Sequence, residues 1–249
     1  SIVIAEVELA LGDPEAAARR MLAVPETSEH FVDARRVAVA ALLAAQAPQR
    51  ALEAVAPARE QKPESLDLAT LAAFALVDLG KRAEAEAQLA TYGDKPFAIF
   101  ARARLADHAG DPAAALARVE PLARAKPDFT GALNLAGYLL ADLNQRLGDA
   151  ERYLKKAREL APGDPAILDS WGWLLLRKGQ TKPAIRALDL ASRISPREAE
   201  ILLHLAQAWL ADKSPKTALG LLDRAAALKP SPAVKRRIEA VRSTLAQPR

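Results

Sequence analysis

The sequence predicts an all-α chain, a right-handed superhelical solenoid of antiparallel helix pairs. Three observations carry that prediction. Ala, Leu, Glu, Lys and Arg dominate while β-branched and aromatic residues are sparse, which gives high helix propensity along nearly all of the 249 residues. Four residue columns recur at an interval of 34: Pro162, Pro196 and Pro230; Ala150, Ala184 and Ala218; Leu154, Leu188 and Leu222; Ala157, Ala191 and Ala225. A fixed period of this length marks stacked supersecondary units. Finally, Gly-Asp-Pro triplets begin at Gly12, Gly110 and Gly163. In each, Gly suits the end of one helix, Asp can cap the next, and Pro fits its first turn.

Each column has a physical role. The small Ala residues let a neighbouring helix approach closely, and the Leu between them fills the gap. Pro cannot continue a helix and ends the second one of each unit. Gly172 lies on a first helix, where its missing side chain admits the partner, and Gly179 closes that helix. Pro48, Pro183 and Pro215 fit helix starts. Six units are expected, near 28–63, 64–94, 95–127, 128–162, 163–196 and 197–230, after a partial first unit containing Gly12, Ala17 and Met21. The 128–162 unit carries one extra turn residue, within Asn144-Gln145-Arg146, and the second helix of 64–94 reads as clipped near Tyr92-Gly93-Asp94. Together residues 1–230 form one array. Residues 231–249 supply a C-terminal capping helix and tail, as a solenoid end needs.

Several function classes find no support. With no cysteine, thiol chemistry and Cys-based zinc sites are excluded. His30, His108 and His204 fall in distant units without metal-ligand spacing and read as surface or groove residues, so no metal site is expected. No phosphate loop, nucleophile elbow or His-Glu-x-x-His helix is present, so no catalytic residues and no cofactor are assigned and the chain is not expected to be an enzyme. The net charge of +4 is spread out and does not indicate nucleic acid. Its densest cluster, Lys235-Arg236-Arg237, reads as a solvated helix face. No segment is long and apolar enough to span a membrane. Ser1-Ile2-Val3-Ile4-Ala5-Glu6 lacks a signal-peptide layout and reads as mid-helix, so the natural protein is expected to extend further N-terminally.

Binding is better served. The first helix of each pair lines the concave face, and side chains four apart on it point into the groove. That register places Phe74, then Phe100 and Arg104, then Asn134 and Tyr138, then Asp169, Trp173 and Arg177, then His204 and Gln207 along one surface. Aromatic rings flanked by hydrogen-bonding groups suit a protein or peptide partner. Trp171 and Trp209 occupy packing columns and read as core. Trp173, two residues from Trp171, must point elsewhere and is the better groove candidate.

Leu168, Trp171, Gly172, Leu175, Gly179, Ala184, Leu188, Ala191 and Pro196 resemble the tetratricopeptide repeat pattern position by position. The resemblance implies a non-catalytic scaffold or adaptor that holds a partner protein on its groove. In members that clamp chaperone tails, Lys, Asn and Arg residues hold a terminal carboxylate. The equivalent positions here are Arg36, Thr70, Phe100, Asn134, Asp169 and Leu203, then Ala40, Phe74, Arg104, Tyr138, Trp173 and Gln207, so that clamp is absent. Residues 135–142 and 164–173 further resemble tetratricopeptide proteins of the bacterial cell envelope, among them protease-adaptor lipoproteins and exopolysaccharide export subunits. This implies a bacterial source and favours a periplasmic or outer-membrane-associated location, with a cytoplasmic one the alternative. Two other readings stand beside the adaptor: a self-assembling structural subunit, or a regulatory domain of a larger enzyme. The oligomeric state is left open.

Overall fold

The computed structural model describes residues 2–246, and every regular element among them is a helix. The contacts divide the chain into two compact units, Ser1–Asp111 and Pro112–Arg249.

The N-terminal unit holds α1 (Ile2–Ala10), α2 (Pro14–Leu22), α3 (Phe31–Ala44), α4 (Pro48–Gln61), α5 (Leu66–Asp78), α6 (Arg82–Ala90) and α7 (Pro96–His108). Asp13 caps α2, its carboxylate accepting the Ala16 N–H at 2.9 Å, with Pro14 in the first turn. Ser65 caps α5 in the same way through the Leu68 N–H. One core cluster joins α1 to α5 around Met21, Phe31, Leu42 and Leu68, and a second joins α5, α6 and α7 around Leu76, Leu89 and Leu105. Helix α6 is short, ending at Ala90. The turn after it is held by the Tyr92 hydroxyl, which donates to the Pro63 carbonyl at 2.9 Å, and by Arg102, which donates to Asp94 at 2.6 Å.

The C-terminal unit holds α8 (Pro112–Ala125), α9 (Thr130–Asp142), α10 (Leu147–Leu160), α11 (Pro165–Arg177), α12 (Thr181–Ile194), α13 (Ala199–Ala211), α14 (Pro215–Ala227) and α15 (Pro232–Ala246). The columns read from the sequence are its packing seams. Ala150, Leu154 and Ala157, and their counterparts one and two repeats later, are all 0 % exposed. A Cβ on Gly172 would stand 2.5 Å from Leu188 Cγ, and one on Gly137 would stand 2.5 Å from Leu154 Cγ, so each glycine is the notch that receives the next Leu. Asp164 caps α11 through the Ala166 and Ile167 N–H groups at 2.8 and 3.2 Å.

A further period appears only in the backbone. Gly12, Gln46 and Gly80 in the first unit, and Asn144, Gly179 and Lys213 in the second, each take a left-handed conformation between the two helices of a pair. Three of these positions are not glycine, and such a conformation costs an L-residue about 1–2 kcal/mol. The repeat tolerates the cost because the turn satisfies the carbonyls at the helix end: Gln180 N–H donates to Leu175 at 2.9 Å and Ser214 N–H to Trp209 at 2.9 Å. The extra turn residue of the α9–α10 pair brings Arg146 to a φ of 41°, and its guanidinium donates to Glu120 at 2.6 Å.

No described helix is long and apolar enough to cross a membrane.

Candidate functional site

The first helices of the N-terminal unit, α3, α5 and α7, enclose a cleft of about 380 Å³. Its lining includes Arg36 and Ala40 from α3, Thr70 and Phe74 from α5, and Phe100 and Arg104 from α7. These are the N-terminal six members of the two groove rows. Leu66, Asp67, Leu71, Ala101 and Phe97 complete the wall, and Phe97 is 68 % exposed. The Arg104 guanidinium lies 5.2 Å from the Phe74 ring centre and 6.0 Å from that of Phe100, within reach of both π faces. Burial lowers the Arg104 pKa, and the Asp107 carboxylate opposes part of that shift. Phe74 also packs against His108, ring centres 5.0 Å apart, and His108 is paired with Asp78 at 2.7 Å. Among the described residues neither Arg36 nor Arg104 has a hydrogen bond or an ion pair, although both are exposed.

The equivalent face of the C-terminal unit is built differently. His204 of α13 is fully buried, and its Nδ1 lies 2.9 Å from both carboxylate oxygens of Asp169 on α11. Its Nε2 lies 2.9 Å from Nη2 of Arg237 on α15. A guanidinium can only donate, so Nε2 accepts and the ring proton sits on Nδ1, directed at Asp169. The Trp173 indole stacks on the imidazole, centres 4.4 Å apart and planes at 20°, and Tyr138 tilts against it at 6.1 Å. Arg237 also pairs with Glu200, which accepts from the Tyr138 hydroxyl at 3.2 Å, and Arg237 comes within 4.0 Å of Asp142. Burial alone would raise the Glu200 carboxyl, but the Arg237 guanidinium and the Tyr138 hydroxyl that donates to it outweigh this and hold its pKa below the usual carboxylate range. Arg237 is raised in turn: burial works against its charge, and the Tyr138 phenol oxygen with the Glu200 and Asp142 carboxylates more than restores it. Asn134 Oδ1, Trp173 Nε1 and Gln207 Oε1 are buried without a hydrogen-bond partner among the described residues.

The residues read as one row are therefore brought together within each unit in contrasting states. Phe74, Phe100 and Arg104 do line a cleft. Asp169, Trp173 and His204 do not face an open groove: they are 7 %, 4 % and 0 % exposed, which corrects the placement of Trp173 as the outward indole. Trp171 and Trp209, expected in the core, pack against it while half-buried, Trp171 under the Arg158 guanidinium at 4.5 Å. Asn134, Tyr138 and Gln207 are half-buried at the edge of the network. Arg177 lies 5.4 Å above Trp173 and donates to the Ala141 and Asp142 carbonyls at 3.2 Å, closing the C-terminal end of α9. His204 is neither a surface residue nor an open groove residue.

Glu200 and Arg237 were missed as members of this network, and Arg237 is half-buried rather than part of a solvated face. The signal was present in the register. Arg237 lies three residues after Val234 and four before Val241, on the apolar stripe that buries Ile238 to 1 % exposure. Phe97 was missed because it stands at the start of α7, outside the four-residue spacing of the rows.

Comparison with known proteins agrees with this architecture. The model of a family described as tetratricopeptide repeat matches residues 100–165 and 170–232, just over half of the chain. A tetratricopeptide repeat-containing protein of Pseudomonas aeruginosa is 32 % identical over 171 residues, which is 67 % of this chain and 29 % of that protein. The chain thus spans under a third of that relative's length. A tetratricopeptide repeat protein from Parabacteroides merdae shares the fold with a TM-score of 0.60 at 14 % identity, over 96 % of both chains. Pseudomonas aeruginosa pilF matches with a TM-score of 0.52 at 16 % identity, over 84 % of this chain and 96 % of that one.

Proposed function

The chain belongs to the tetratricopeptide repeat family, whose repeats are in general protein-interaction scaffolds, and we propose that it is a non-catalytic adaptor holding a partner protein on the first-helix face of its N-terminal unit. One observation carries the reading: Arg36, Phe74, Phe100 and Arg104 share an open cleft, with two exposed cations that have no ion-pair partner among the described residues. Aromatic and arginine side chains in a partly desolvated recess are the groups that anchor protein interfaces. The C-terminal face is a weaker candidate, since its corresponding residues are engaged with one another and with α15. A bacterial envelope complex, as a protease adaptor or a polysaccharide-export component, is the setting favoured by the resemblance of residues 135–142 and 164–173.

Photo-crosslinking tests the reading. A photoreactive amino acid placed at Phe97 or Phe100, in cells that naturally make the protein, should capture a partner that the same group at Lys156 on α10 does not. Purified partner should then bind the wild-type chain in a titration. Equal capture from both faces would reject the cleft as the docking surface.

A further inference from the structure

Resting on the cleft reading above, the chemistry of the walls narrows what can occupy it. Arg36 and Arg104 enter from two different helices, α3 and α7, and both are exposed. Arg104 is not an ordinary surface cation. It lies within cation–π reach of two phenylalanine faces, and the apolar walls beside it make a charge partner there worth more than on an open surface. Asp78 is paired with His108, Asp107 offsets only part of the effect of burial on Arg104, and among the described residues neither arginine has a hydrogen bond or ion pair with a carboxylate. Asp67 stands in the wall itself and disfavours a long acidic run. At the mouth, Phe97 offers an apolar surface that is 68 % exposed.

We propose that the cleft between α3, α5 and α7 recognises an internal, extended segment of a partner protein in which one or two side-chain carboxylates are flanked by large apolar residues. A carboxylate takes the fork of Arg104, with Arg36 across the cleft, and an adjacent aromatic or branched side chain rests on Phe97 and Phe100. Arginine suits this role because its planar donors match a carboxylate bidentately while its face stacks on a ring. No free C-terminal carboxylate is required.

The test uses the whole chain and fluorescein-labelled, C-terminally amidated dodecapeptides with a central Phe-Glu-Ala-Phe in a Gly-Ser frame. Fluorescence anisotropy should show micromolar binding of this probe. Replacing its Glu by Gln or Lys should weaken binding about tenfold or more, as should replacing both of its Phe by Ala. In the protein, Arg104→Gln and Phe100→Ala should each cost about tenfold, while Arg193→Gln on α12 should cost nothing. Phe97→Ser, at a position 68 % exposed, gives a second variant, and thermal melts accompany each.

Equal binding of the Glu and Lys probes overturns the carboxylate assignment. If the uncharged aromatic probe binds as well and still depends on Phe100, the proposal fails while the docking cleft stands. Binding indifferent to Arg104, Phe97 and Phe100, or no binding of any probe at millimolar concentration, also overturns it. The cleft reading itself fails only by the crosslinking result.

Discussion

The two units present the same repeat positions in opposite conditions. On α3, α5 and α7 these positions hold Arg36, Thr70 and Phe100, then Ala40, Phe74 and Arg104, around an open cleft. On α9, α11 and α13 they hold Asn134, Asp169 and Leu203, then Tyr138, Trp173 and Gln207, and the face is closed by rings stacked on His204 and by Arg237 arriving from α15. The difference teaches that periodicity decides which way a side chain points, whereas coverage is decided by elements outside the period. A first-helix face is a binding surface only where nothing else in the chain has already taken it.

The largest effect is expected where the C-terminal face is closed. His204→Ala would leave the Asp169 carboxylate, 7 % exposed, without its ring partner and would remove the stack under Trp173. Leaving a buried charge uncompensated costs about 3–5 kcal/mol, and the cavity adds to it. Urea unfolding followed by tryptophan fluorescence reads this directly, since all three Trp lie in the C-terminal unit. A loss below about 1 kcal/mol would mean that the network is a surface feature rather than part of the core.

Arg237→Ala ranks next. It removes the donor to His204 and the partner of Glu200, while Ile238 still anchors α15. A loss of about 1–2 kcal/mol is expected for a half-exposed charged contact, with faster proteolysis within 232–246. If instead stability is unchanged and α15 remains protected, closure of this face does not depend on Arg237 and the contrast between the units must be sought in the rings alone.

Glu200 gives a smaller, pH-dependent effect. Because its folded pKa is depressed, its contribution is complete above the unfolded carboxyl value of about 4.3 and is lost as pH falls through the lower folded value. The melting temperature of the wild type should therefore exceed that of Glu200→Gln at pH 6, and the gap should close on the acid side of pH 4. A gap independent of pH would show that the carboxylate's charge is not what Arg237 uses.

Much of this was legible in the sequence, for definite reasons. Ala150, Leu154, Ala157 and the notch at Gly172 are fixed by helix-on-helix packing, which recurs with each repeat and so leaves a column. The left-handed turn residues Gln46 and Lys213 escaped notice because the backbone demands a conformation there, not a residue type. The site was half legible. Register alone placed Phe74, Phe100 and Arg104 on one face, and they share the wall of one cleft because α5 and α7 repeat in that register. Trp173 was read as facing the groove since its direction is shared by Tyr138 and Gln207, but it stacks on the buried His204 and is itself 4 % exposed. Arg237 was hidden by its neighbours Lys235 and Arg236, which are exposed as basic runs usually are.

The smallest expected effect sharpens the comparison from the other side. Among the described residues Arg104 has no hydrogen bond or ion pair to lose, and its guanidinium lies within cation–π reach of two rings. Truncating it to Gln forfeits cation–π contact worth about 0.5–1 kcal/mol at an exposed site, but also relieves the desolvation that lowers its pKa. The two oppose each other, and a net change within about 0.5 kcal/mol is expected in urea unfolding followed by far-UV circular dichroism, since the N-terminal unit holds no Trp. Were Arg104→Gln to destabilise the fold as His204→Ala does, the guanidinium would be part of the N-terminal core, and the cleft would be closed in the same sense as its counterpart.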